Sequence, residues 1–191
     1  MNRNQKIVTV VSLGILWGIS ENIIGDLVQS FSLPIRGMVL TIFTIFFLIN
    51  TKKLAPFNGS IIITGLIAVL LKAVYYQTIF HTALIAVILM AVFAELFFIL
   101  IKDFKKASIS ASIFLMIYTY VHAIIAHNYF YGRNIFTQYK NLVYGSWGLN
   151  LSIELILLLF LLINVIIGAA AGYFFYKASI VIKKYTNTFY E

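Results

Sequence analysis

The chain has 191 residues, 62% of them hydrophobic and only 10% charged, with a mean hydropathy of +0.98. Soluble domains carry roughly a quarter charged residues, so the composition excludes a soluble globular protein, and at about 20 residues per membrane span little length remains for an extramembranous domain. The formal charge of +8 would suggest nucleic acid in a soluble chain, but here it gathers at span ends, and the lack of cysteine excludes disulfides, thiol nucleophiles and thiolate metal sites.

The opening MNRNQK followed by an apolar stretch resembles a signal peptide, yet it lacks a clear small-residue cleavage site and carries Glu21 and Asp26, so it reads as a retained first helix. That span is expected over about Ile7 to Val28. Within it Gly14, Gly18, Glu21 and Gly25 recur at i, i+4, i+7 and i+11, which puts three residues without side chains and one carboxylate on a single helix face. An ionisable group in a span turns toward protein, a partner charge or a wet cavity, and glycines at this spacing let a neighbouring helix approach closely. Pro34 and Gly37 mark the break before a second span, about Gly37 to Asn50, and Arg36 is the nearest partner for Glu21. A structural ion pair between two helices and a binding role both fit.

The third span is expected over Ser60 to Tyr76 and the fourth over Thr82 to Ile101, divided only by KAVYYQTIFHT, which has neither Pro nor Gly, so a re-entrant or tilted arrangement remains an alternative there. The fifth covers Ala107 to His127 and the sixth Leu149 to Tyr176, where Gly168 and Gly172 repeat the small-residue spacing. Between them His127 to Gly148 forms the longest loop. Its Tyr, Phe and Trp residues suit the headgroup level, as an interfacial anchor or as a lid over an outward cavity.

Positive charge near span ends stays on the cytoplasmic side. Ten of the fourteen basic residues (Arg3, Lys6, Lys52, Lys53, Lys102, Lys105, Lys106, Lys177, Lys183 and Lys184) fall on one side of a six-span arrangement with both termini cytoplasmic. The expected fold is therefore an all-α, polytopic, single-domain bundle of six helices in the cell membrane. In that topology most polar residues come out at the outer level, and Glu21, Asn22, Arg36, Lys72, Tyr76, His122 and Glu154 are expected to line an outward pocket with apolar walls. Lys72 could instead snorkel along its own helix, or pair with Glu21 or an anionic ligand group. Glu95, in the inner half, would pair across helices or stay protonated. Three histidines invite a metal, but His122 and His127 are five apart, unlike the i, i+4 pair of a zinc helix, and no metal ligand or catalytic residue is assigned.

With its length, six spans, cytoplasmic termini and the small-xxx-small face Gly14 and Gly18 on the first helix, the chain resembles the substrate-binding S components of energy-coupling factor vitamin transporters. In that family the first-helix motif is usually AxxxA and contacts a shared transmembrane coupling subunit; the matching residues here are Gly14 and Gly18, and the N-terminus lacks the histidine used by nickel and cobalt members. The resemblance implies capture of a vitamin-like small molecule in an outward pocket, no enzymatic activity, no cofactor, and a partner module with ATPase subunits that drives release inward. Two other classes fit the same residues. One is a small membrane enzyme, or its accessory subunit, acting on a lipid or prenyl substrate; the other is a membrane-complex assembly factor.

Overall fold

Every regular element is helical among the residues that the structure, a computed structural model, describes, which are 2–28, 33–78, 81–130, 132 and 134–189. In chain order these are α1 (Arg3–Leu27), α2 (Leu33–Leu54), α3 (Ser60–Tyr76), α4 (Thr82–Leu100), α5 (Phe104–Ile125) with a π-helical turn (Ala126–Phe130), α6 (Ile135–Trp147) and α7 (Ile153–Phe189). Five of them, α1, α2, α4, α5 and α7, are long and apolar enough to cross a membrane. The third expected span has its expected bounds but only 17 residues, which at 1.5 Å per residue rises about 25 Å against a hydrocarbon core of about 30 Å.

Local chemistry explains where the helices start and stop. Asn2 and Gln5 form a capping box at α1, and the side chains of His81, Asp103 and Asn134 accept backbone N–H groups at the starts of α4, α5 and α6. Helix α2 begins four residues before the expected Gly37, because a proline in the first turn gives up an N–H that has no intrahelical partner. The division between α3 and α4, which lacks the usual Gly or Pro, is made by Gln77 in the left-handed region (φ 52°), with the Thr78 N–H returning to the Ala73 carbonyl at 3.3 Å. The two helices are therefore separate elements. Helix α7 continues past Tyr176 to Phe189, since Lys177, Lys183 and Lys184 end the apolar run without ending the helix.

Helix α1 lies chiefly on α3, and α7 on α5. A Cβ at Gly14 would stand 2.8 Å from Ile67 Cβ, and one at Gly18 3.2 Å from Ala68 Cα; Cβ atoms at Gly168 and Gly172 would each stand 2.8 Å from an α5 Cα, of Ile113 and Ile109. The core between these pairs contains Trp17, Ile45, Leu48, Ile61, Leu115 and Met116. Outside it, Leu27, Leu70, Val74, Leu100, Ile166 and Phe174 are exposed, an apolar girdle that a soluble monomer would not carry and a bilayer would cover.

The stretch expected as the longest loop contains helix α6. Ile135, Tyr139 and Val143 recur every four residues on α6 and are buried with Tyr120, Ile156 and Phe160 of α5 and α7, so α6 is amphipathic and anchored by one stripe. At the opposite end Lys53 lies 4.5 Å from the centroid of the Phe104 ring, while Lys105 and Lys177 lie over the Tyr173 ring at 5.4 and 5.8 Å. That end gathers basic residues of the last turn of α2, the first turn of α5 and the C-terminal part of α7.

Candidate ligand-binding site

The buried face of α1 carries Gly14, Trp17, Gly18, Glu21 and Gly25, as a helical period requires. Close approach of α3 at the two glycines brings Lys72, two turns beyond Gly65, onto Glu21. Their side chains form an ion pair that is 6% and 3% exposed, with Lys72 Nζ donating to Glu21 Oε2. The Thr44 hydroxyl on α2 donates to Glu21 Oε1 at 3.0 Å and accepts from Trp17 Nε1 at 3.2 Å, so three helices are tied by one polar chain. A buried charge pair has a large desolvation cost that only good geometry and further hydrogen bonds offset, and here both carboxylate oxygens are engaged.

This pair forms one wall of a cavity of about 400 Å³ bounded by α1 to α5 and the π-helical turn. Arg36, Tyr76, His81, His122 and His127 supply its polar edge, and Leu40, Ala86, Val87 and Met90 its apolar part. The Tyr76 and His81 rings stack with centroids 4.4 Å apart and planes 11° apart, while His81 Nδ1 accepts the Ala83 N–H at 3.2 Å. Burial, then the neighbouring charges of Lys72 and Arg36, hold the His81 imidazole below its ordinary pKa. Toward the middle of the bundle, the Thr41 and Thr119 hydroxyls lie 2.9 Å apart across α2 and α5.

Five of the seven residues expected to line a pocket therefore meet in one: Glu21, Arg36, Lys72, Tyr76 and His122. Glu21 is paired with Lys72 and not with Arg36, the nearer residue in sequence. Asn22 and Glu154 do not line the cavity. Asn22 is one residue round the helix from Glu21, with its Oδ1 buried and without a partner among the described residues; Glu154 is exposed in the first turn of α7, where a carboxylate suits the helix dipole. Of the loop expected as a cover, only His127 lines the cavity among the described residues, and α6 stands beside it, with Tyr139 on a small adjoining hollow. Gly14 and Gly18 face α3 within the chain, so that surface is already covered. Thr41, Thr119 and Met90 join the wall without having been singled out; their i, i+4 spacing from Gly37 and Ala86 would have placed Thr41 and Met90 on the same faces.

Glu95 is paired across helices at the other end. Lys52 Nζ donates to its Oε1 at 2.5 Å, and the N–H groups of Gly59 and Ile61 donate to Oε1 and Oε2 at 2.9 and 3.0 Å, which ties the α2–α3 turn and the start of α3 to α4. Among the described residues no three His, Asp or Glu side chains are grouped to hold a metal ion. Comparison with protein-family models, curated proteins and solved structures gives no match.

Proposed function

We propose that the chain is a substrate-capture subunit of a membrane uptake system, holding a vitamin-like small molecule in its polar cavity as the S components of energy-coupling factor transporters do. The observation that carries this reading is a cavity of about 400 Å³, within the size range of small-molecule sites, walled by apolar side chains with a few convergent polar groups at one end of an apolar bundle. In this reading α3 completes six spans, both termini are cytoplasmic with the lysine-rich end, and the cavity faces outward. Nothing in it requires chemistry on the ligand. Release inward would fall to a transmembrane coupling subunit with ATPase subunits, docked elsewhere than on Gly14 and Gly18.

Purification in mild detergent followed by mass spectrometry of small molecules and proteins tests the reading. A bound small molecule together with copurifying ATPase subunits is the expected result. Turnover of a lipid or prenyl substrate by the purified chain that disappears in a folded Glu21→Gln variant would instead favour the membrane-enzyme reading.

A further inference from the structure

The charges around the cavity do not balance, and the imbalance selects a ligand class. Glu21 is the one carboxylate on the wall among the described residues, and both of its oxygens are occupied, one by the Thr44 hydroxyl and one by Lys72. A cationic ligand group could reach Glu21 only by displacing a buried ammonium and leaving it unpaired, which is strongly unfavourable. Arg36 is in the opposite situation: it lies on the wall and forms no ion pair among the described residues. The first turn of α2, which includes Arg36, and the first turn of α4, which contributes Thr82 and Ala83, border the same space, so the positive ends of two helix dipoles add to its field. Deeper in, Leu40, Val87 and Met90 present only apolar surface.

Resting on the reading of this cavity as a capture site, we infer that its ligand is an amphipathic anion. A carboxylate or phosphate group is held by the Arg36 guanidinium, which donates in parallel to two oxygens, and an apolar body lies on Leu40, Val87 and Met90. The Glu21–Lys72 pair acts as a neutral wall and rejects amines.

The test uses the full chain in phosphatidylcholine nanodiscs at neutral pH, with thermal unfolding followed against hexanoate, hexyl phosphate, hexanamide and hexylamine. Hexanoate or hexyl phosphate should raise the midpoint saturably and bind about tenfold or more tightly than hexanamide, a difference of ~1.4 kcal/mol or more. Arg36→Gln should remove that preference, and Arg36→Lys should retain part of it, which shows that loss in the first variant is not misfolding. Repeating the titration with phosphatidylglycerol in the nanodisc separates two sources of the anion: a lipid headgroup if it abolishes the response, a soluble molecule if it does not. Equal or tighter binding of hexanamide or hexylamine, or unchanged hexanoate binding in Arg36→Gln, overturns the inference while leaving a capture site standing. No saturable response to any probe overturns the inference, and a purified protein that in addition carries no small molecule overturns the capture reading as well.

Discussion

Lys72 and Glu21 show how much a single buried side chain can control. Removing one member of a buried ion pair leaves an uncompensated charge, so Lys72→Met is expected to cost about 3–5 kcal/mol of stability, whereas the double variant Lys72→Met with Glu21→Leu should recover most of it. Chemical unfolding in detergent measures both, and equal losses in the two variants would refute the pairing as the cause. His81 gives a pH dependence of definite sign. Its folded pKa lies below the ordinary 6.5, so the unfolded chain takes up its proton first; the stabilisation is complete above about pH 6.5 and is lost as pH falls through the lowered folded value. The midpoint of thermal unfolding should fall on acidification across that window, and less so in His81→Asn, whose amide oxygen can still accept the Ala83 N–H.

At the scale of the elements, glycines matter where a neighbouring backbone is close, and not elsewhere. Gly172→Ala drives a Cβ to 2.8 Å from Ile109 Cα of α5, while at Gly25 a Cβ meets nothing within 4 Å although both lie in helices. The first substitution should therefore destabilise by about 1–3 kcal/mol through overpacking, and the second should stabilise by up to about 1 kcal/mol because alanine is the better helix former. Thermal unfolding of the two variants side by side checks the contrast. The same distinction separates what a small-residue motif announces from what it does: the spacing of Gly14 and Gly18 was legible as a close-packing face, but that α3 occupies it depends on the fold. Helix α6 was missed for a related reason. Its aromatic residues suit an interface, and only the burial of Ile135, Tyr139 and Val143 against α5 and α7 reveals the i, i+4 stripe as a docking face.

For the whole molecule, the decisive property is the difference between its two ends: a cavity with an ion pair and three histidines at one, lysines over aromatic rings at the other. Because the chain has no cysteine, single cysteines report topology directly. An impermeant thiol reagent applied to intact cells should label Lys140→Cys and not Lys105→Cys; the reverse pattern would turn the cavity toward the cytoplasm and remove the basis for uptake.

By itself the sequence determined the all-α class, the presence of several helices apolar enough to cross a membrane, and the positions of those helices to within a few residues except at the end of α7, because hydropathy and helical period act locally along the chain. Tertiary structure alone decided which of these side chains share a cavity and which cation neutralises Glu21. Lys72 is 51 positions away and Arg36 only 15, yet the former makes the pair. The rotation and closeness of two crossing helices, set by side-chain volume at Gly14 and Gly18, govern that choice, and separation along the chain does not encode it.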